Sequence, residues 1–464
     1  MRVAVLGAGI AGLATAHFLK REAARARSPL EISIFEAGPR SGGRIRTEES
    51  NGYRIEWAAN GVLGLDGAAS RLVDELGLAG ERVIARSEAA RRYVVKRGKL
   101  HLIPLAPPGI LRFTALSPRG KLRLLAEPFF ARRVTNDESV LDFAARHIGR
   151  EAAETLVGAM VRGVFAGDAA RLSLDAAFPT MREMERKHRS LVIAMVREGR
   201  NPGGRALWSL SGGMERLVDA LAASLHASLR WNSPALSIER APGAAADPGD
   251  RAWAPREPAW RVRLASGVRS EADVVVLATP PRASAAILRD LDPELAVRLR
   301  EIPSAGLAVV AMAFRPEAFR AAPDGYGFLV APGEPLDILG ALYESNLWPK
   351  RAPDGRILIR AMLGGAERPD LLTRSDADLI AAAMKALDRT LGLRSGPERT
   401  WVIRQEEAIP QYAVGHRALL ASMAPRLKAL PGIHLAGNGY QGISVASIVE
   451  DAERVARSVA ERAG

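Results

Sequence analysis

Arg2 is followed by the unbroken apolar run Val3-Ala4-Val5-Leu6, which predicts a strand buried on both faces of a parallel sheet. Apolar residues then recur at helical spacing from Ile10 to Leu19, and Glu31–Phe35 returns to β character. Residues 86–205 read as mostly helical, interrupted by the proline-rich stretch 104–118 and closed by the loop Gly199–Gly204. A helix is predicted over Gly213–Leu225 and a strand through Arg230–Arg240. Ala241–Pro258 has no periodicity and reads as a surface hairpin tip. Strands follow at Trp260–Leu264 and Asp273–Ala278. Alternation over Leu307–Phe314, Gly327–Ala331, Leu339–Tyr343 and Ile357–Leu363 predicts an antiparallel sheet. A helix at Asp376–Leu391, a strand at Ile433–Ala436, a glycine turn and a last helix from Val445 complete the chain, with no internal repeat.

Gly7-Ala8-Gly9-Ile10-Ala11-Gly12 has the spacing GxGxxG, follows a buried strand and opens a helix, and Glu36 ends the next strand. The first glycine permits the turn and the second lets a pyrophosphate approach the backbone. The third permits close helix–strand packing, and the helix N-terminus attracts phosphate. Glu36 would accept both ribose hydroxyls of the adenosine half, so the segment predicts a dinucleotide site. The fingerprint does not separate FAD from NAD(P). Glu36 is followed, however, by Ala37-Gly38-Pro39-Arg40-Ser41-Gly42-Gly43-Arg44, a second glycine turn whose Arg40 or Arg44 can pair with diphosphate oxygens. A third element lies at the carboxyl end, where Gly437-Asn438 ends a strand and Gly442-Ile443-Ser444-Val445 turns into the last helix.

At 464 residues the chain is long enough for two or three domains, and 48% apolar with 25% charged residues is ordinary globular composition. It has no cysteine, so dithiol redox chemistry, disulfides and thiolate metal sites are excluded, and any oxidation must come from a bound cofactor. No apolar run has the length of a membrane span, and no signal-like segment opens the chain, so a cytoplasmic location is expected. Of the net charge of +13, residues 82–133 carry most: thirteen Lys/Arg stand against Glu88 and Glu127. Leu102, Ile103, Leu105, Ile110, Leu111, Phe113, Leu124, Leu125, Phe129 and Phe130 are interleaved with them. Basic and large apolar residues together suit an anionic membrane surface, so peripheral attachment to the cytoplasmic face of the inner membrane is the expectation. A merely solvated face is the competing reading, and nucleic acid is not expected as a partner. The seven histidines form neither a metal spacing nor a triad.

The Glu36–Arg44 arrangement resembles flavoproteins in which the acid and a following Gly-Gly-Arg clamp FAD. Longer motifs narrow the resemblance: Arg92-Tyr93-Val94-Val95, Arg162-Gly163-Val164-Phe165-Ala166-Gly167-Asp168, and Ala408-Ile409-Pro410-Gln411-Tyr412 with Gly415-His416. With Phe178-Pro179, Glu185-Arg186 and His188-Arg189-Ser190 they resemble the oxygen-dependent protoporphyrinogen oxidases over nearly the whole chain. That resemblance implies an α/β fold with a discontinuous Rossmann-like FAD-binding domain (1–84, 207–282, 403–464). It also implies an inserted helical, membrane-facing domain (85–206) and a mixed α+β substrate domain (283–402). It places non-covalent FAD against Gly7, Gly9, Ile10, Ala11, Gly12, Glu36, Ala37, Arg40, Gly42, Gly43 and Arg44. Ala235, Thr279, Gly437, Asn438, Gly442, Ile443, Ser444 and Val445 complete that set.

For substrate, the resemblance implies a porphyrinogen, with molecular oxygen as acceptor. A backbone carbonyl of Arg162-Gly163 would face the pyrrole N–H groups, and Leu329, Leu342 and Met362 would hold the flat tetrapyrrole. Because the flavin supplies the redox power, no acid–base dyad is required. A homodimer and hand-off to a ferrochelatase are further expectations. Two departures bear on the substrate. Trp57-Ala58-Ala59-Asn60-Gly61 replaces a Gly-Pro segment before the propionate anchor, leaving Asn60 to offer a neutral hydrogen bond, and Ala446-Ser447 stands where relatives often carry Asn-Asp. Coproporphyrinogen oxidation, an amine-oxidase or desaturase activity using Tyr440 as an aromatic wall, and a non-catalytic tetrapyrrole carrier remain as alternatives at this point.

Overall fold

The computed structural model describes residues 1–104, 107–197, 206–242 and 259–461. Arg2–Leu6 is the middle strand of a five-stranded parallel sheet ordered Leu229–Arg230, Glu31–Phe35, Arg2–Leu6, Val274–Leu277, Ile433–Leu435. Val3, Val5 and Val276 face a core shared with the helices Ile10–Ala26 and Val445–Glu461. Ala4, Leu6 and Val275 face the opposite core, which Trp260 and Val262 fill from an antiparallel three-stranded sheet. Covering on both faces is the reason the strand sequence shows no alternation. Segments from the start, the middle and the end of the chain thus build one α/β unit, as expected for a discontinuous Rossmann-like nucleotide domain.

A seven-stranded sheet runs Arg399–Pro410, Ser304–Phe314, Ile357–Gly364, Ile338–Tyr343, Gly327–Val330, Arg92–Lys96, Lys99–Leu102. The helix Asp376–Leu391 seals one face of it, with Leu379, Ala383 and Leu387 against Val310, Ala341, Ile359 and Ala361. Ser375 caps that helix by accepting the N–H of Asp378 at 3.2 Å.

Three expectations need correction. Residues 92–102 are not helical but a hairpin turning at Arg97 (φ 52°) and Gly98 (φ 69°), and the strand Arg92–Lys96 runs parallel to Gly327–Val330. Val94 and Val95 are both fully buried, so two-sided burial erased the alternation that marks a strand. Arg399–Pro410 is a twelve-residue strand of this sheet, so the expected boundary at 402/403 falls inside it. It is an edge strand, and its exposed charges (Arg404, Glu406) hid it. The strand expected through 230–240 is two, separated by a turn with Asn232 at φ 50° and belonging to different sheets. The loop expected at 199–204 and residues 243–258 of the expected hairpin tip lie outside the described residues.

Between the hairpin 92–102 and residue 197 the block is helical, and its helices are short. Short helices are marginal alone, and here buried charge ties them together. His147, fully buried, lies 2.6 Å from Glu127 and 3.1 Å from Glu185, and Arg182 binds Asp175 and Glu185, each at 2.6 Å. Among the described residues no helix is long and apolar enough to cross a membrane.

Candidate active site

The two glycine turns near the amino terminus close on each other. Gly42 donates its N–H to the Ala8 carbonyl at 2.8 Å, and Gly9 and Gly42 form a parallel bridge. Gly7 has φ 103°, and a Cβ on Gly12 would lie 2.0 Å from the Gly7 carbonyl, so no other residue fits at position 12 without moving the turn. Space opens at Gly9, where an added Cβ would meet nothing within 4 Å. The helix that starts there has neither an acidic first turn nor a side-chain cap, which leaves its N–H groups available to a phosphate.

Glu36 ends its strand beside this cradle. Its Oε2 accepts the Ala8 N–H at 2.8 Å and its Oε1 accepts the Gly38 N–H at 2.9 Å, so the carboxylate is oriented before any ribose arrives. Ala37 stands exposed at the turn after it. Ser233 N–H bonds the Glu36 carbonyl at 2.7 Å and Asn232 N–H that of Gly38 at 3.0 Å, so the turn that leads to Ala235 is tied to the loop after Glu36. Thr279 lies at the opposite wall, its Cγ2 3.4 Å from a Cβ built on Gly7.

The two arginines divide their work. Arg40 donates to the Ser41 and Gly43 carbonyls, both at 2.9 Å, and approaches Glu215 at 3.5 Å. Its guanidinium braces the second turn, so Arg40, one of the two arginines expected at the diphosphate, already has both terminal nitrogens engaged by the loop. Burial lowers the pKa of Arg44, with distant Glu407 opposing. That guanidinium is the one suited to an anionic ligand.

The carboxyl-terminal turn joins the same cradle. Gly437 (φ 120°) lies against Ala11, and its N–H reaches the buried Asp451 carboxylate at 3.2 Å. Asn438 O accepts the Tyr412 hydroxyl at 2.5 Å, and Tyr412 stacks on His416 at 4.3 Å between ring centroids. Gly442 (φ 76°) precedes Ile443 and Ser444, and Ser444 accepts the Ser447 N–H at 3.1 Å to cap the helix that Val445 opens. Ser447, one of the two departures, packs against Gly442. Burial pulls His416 down to about 4. Tyr440 is buried in the core beneath the turn and makes no exposed aromatic wall, which removes the residue an amine-oxidase reading relied on.

The residues expected to hold substrate come together on one face of the seven-stranded sheet. The register pairs Leu329 with Gly340, Gly340 with Met362, Gly327 with Leu342 and Leu342 with Arg360. Directly paired residues point to one side, so Leu329, Leu342 and Met362 share a face, each half-buried, with glycines between them. The helix Ala159–Phe165 lies over part of that face, and a Cβ on Gly163 would sit 2.3 Å from Leu329 Cδ2. Arg162 and Gly163 occupy its last turn, where carbonyls lack intrahelical partners and the dipole favours N–H donors. The Arg162 side chain is committed elsewhere. It donates to Val330 O at 3.1 Å, pairs with Glu367 at 2.9 Å, and lines a cavity of about 240 Å³ with Glu334, Asp337 and Arg368.

Two arginines that the sequence reading left without a role stand on this face. Arg92 pairs with Gly327 and therefore shares the row of Leu342 and Arg360; its guanidinium lies 5.1 Å from the Tyr326 ring centroid. Arg360 is buried against Glu344 at 2.8 Å. Asn60 stands in the adjoining loop with a buried Nδ2 that has no hydrogen-bond partner among the described residues. Arg92 was legible as part of a motif, but its orientation depends on a strand pairing between residues far apart in the chain.

A phosphate cradle, a ribose acceptor and a flavin-type second turn, set beside an apolar sheet face, define a flavoprotein oxidoreductase. The chain matches the model of the flavin-containing amine oxidoreductases over residues 10–460, belongs to that family, and is an FAD-dependent oxidoreductase. It is similar to the coproporphyrinogen III oxidase of Bacillus subtilis (28% identity, 97% of this chain and 95% of the relative). It is also similar to the protoporphyrinogen oxidase of Homo sapiens (32% identity, 98% of each). In fold it matches a candidate protoporphyrinogen oxidase from Exiguobacterium sp. 255-15, with TM-score 0.84, 24% identity, and coverage of 99% of this chain and 98% of that one.

Proposed function

We propose that this chain oxidises a porphyrinogen to the porphyrin, with protoporphyrinogen as the preferred substrate and molecular oxygen as the electron acceptor. The observation that carries the reading is the shared face of Leu329, Leu342 and Met362, flat at Gly327 and Gly340 and bordered by Arg92 and Asn60. Bound FAD supplies the two-electron redox chemistry. Glu36, Arg44 and the glycine turns hold it non-covalently, since the turn 437–445 contains neither Cys nor His to link it. The chain's own task is then to present a methylene bridge, exclude water and anchor carboxylates.

Carboxylate count favours protoporphyrinogen. Arg162 and Arg360 on or beside the face are neutralised by Glu367 and Glu344, which leaves Arg92 as the cation without a carboxylate partner there among the described residues. One cation suits two neighbouring propionates better than four spread around the ring. The coproporphyrinogen reading is supported by the similarity to the Bacillus subtilis enzyme. Porphyrin fluorescence followed with each porphyrinogen separates them: kcat/KM at least roughly tenfold higher for protoporphyrinogen, about 1.4 kcal/mol in the transition state, is expected. Equal efficiencies or the reverse order would transfer the assignment to coproporphyrinogen.

A membrane surface fits the outer side of the helical block. Phe129 is 85% exposed and Phe130 56%, with Leu111, Leu122 and Leu125 exposed nearby. Glu127 accepts the Leu191 N–H and so ties these residues to the helix Leu191–Arg197, whose Val192, Ile193 and Val196 are also exposed. Phe113, counted with the interfacial residues from sequence, is instead buried, and Leu105 lies outside the described residues.

A further inference from the structure

Four clamps hold the loop that carries Asn60. The buried Arg360 donates one Nη1 to the carbonyl of Glu56 at 3.0 Å and to that of Ala58 at 2.7 Å, while Glu344 holds its Nε. Gln405, from the edge strand of the same sheet, donates to the carbonyl between them, Trp57 O, at 3.0 Å. The Trp57 ring lies under the Arg46 guanidinium and donates to Glu48 at 3.2 Å. Gly61 abuts Trp348 so closely that a Cβ would come within 2.9 Å of that ring. Three consecutive carbonyls are thereby consumed, two of them by one side chain, while the buried Asn60 Nδ2, like Glu344 Oε2 and Trp348 Nε1 beside the loop, has no hydrogen-bond partner within 3.5 Å among the described residues. Arg360 also points from the same sheet face as Leu342.

We propose that Arg360 is a positioning residue for substrate specificity: it locks the loop 56–58 to the substrate sheet and so sets where the Asn60 amide meets the substrate. The inference rests on the porphyrinogen reading of this face. A loop lacking proline has many conformations of similar energy, and the guanidinium selects one because its planar fork reaches two carbonyls and a carboxylate together. Lysine keeps the charge toward Glu344 and loses the fork, so Arg360→Lys should fold with full flavin content and yet misplace Asn60.

The test is a double-mutant cycle on the holoenzyme with Arg360→Lys, Asn60→Ala and both, using protoporphyrinogen and coproporphyrinogen. Each single variant should raise KM about tenfold with kcat lowered much less, and the double variant should be no worse than Asn60→Ala alone. Flavin absorbance and stoichiometry should stay those of the parent in all three. If Asn60→Ala leaves KM unchanged for both substrates, the site reading fails and takes the positioning role with it. If Asn60→Ala raises KM while Arg360→Lys does not, or the two losses multiply, the site reading stands and the positioning role is wrong. Loss of flavin from Arg360→Lys would likewise overturn it, showing that the arginine serves the fold of the cofactor domain instead.

Discussion

Glu36 carries more than one duty, which makes it the most informative single residue of the cofactor cradle. Both carboxylate oxygens already accept backbone N–H groups, from Ala8 and Gly38, and each keeps acceptor capacity that a ribose hydroxyl could use. Glu36→Ala would remove charge-assisted bonds to the cofactor and also the carboxylate that joins the Ala8 and Gly38 N–H groups. Flavin affinity should fall by roughly 1–3 kcal/mol, read by titrating apoprotein with FAD; unchanged affinity would rule out Glu36 as the ribose ligand. Gly163 makes the matching case on the substrate side. Alanine is the better helix former by roughly 1 kcal/mol, yet its Cβ would stand 2.3 Å from Leu329 Cδ2. Gly163→Ala should therefore lower thermal stability through overpacking, by roughly 1–3 kcal/mol. Adding Leu329→Ala should restore part of it, and a Gly163→Ala variant as stable as the parent would show that Leu329 yields freely.

At the scale of elements, the segment 408–416 is a junction. It leaves the substrate sheet at Pro410, and Gln411 donates to Phe165 O at 2.7 Å in the helical block. Tyr412 then reaches Asn438 in the carboxyl-terminal turn, with His416 stacked beneath it. Burial holds His416 near 4, and Asp137 opposes only weakly. The folded state therefore declines a proton that the unfolded chain accepts around the ordinary histidine value of 6.5. The stability from His416 is full above that value and is lost as pH falls toward 4, amounting to about 3 kcal/mol over the interval. Urea unfolding between pH 7 and 4.5 should show this slope, and His416→Gln should flatten it; an identical slope in the variant would remove His416 as its source. The motif was legible in sequence, whereas its role as a junction was not, because Phe165 and Asn438, the partners of the Gln411 and Tyr412 side chains, come from elsewhere in the chain.

For the whole molecule, surplus positive charge and exposed phenylalanines on one side predict binding to anionic vesicles that weakens with salt. Co-sedimentation should show the chain with acidic vesicles and not with neutral ones, and Phe129→Ser/Phe130→Ser should weaken it. Equal partition to both kinds would favour a merely solvated basic face. The residues that point to a flavin cradle follow one another at fixed spacing between Gly7 and Arg44: a glycine turn, a helix start, an acid ending the next strand and the second glycine turn after it. Local spacing suffices for these, so the flavin cradle could be read from the chain alone, as could the strands of alternating character and the helix sealing the large sheet. The substrate face could be read only in part. Leu329, Leu342 and Met362 were recoverable as apolar residues on predicted strands, but no local signal says that Arg92 joins their sheet or that Arg360 holds the Asn60 loop. The strand Arg92–Lys96 is buried on both faces and Arg399–Pro410 is a charged edge, so neither keeps the alternation by which strands are recognised. Whether an arginine is spent on a carbonyl, as Arg40 is, neutralised, as Arg162 and Arg360 are, or left without a carboxylate partner among the described residues, as Arg92 is, depends on partners supplied by distant segments. Tertiary packing decided that, because a charge acquires its role from what is brought within a few ångströms of it.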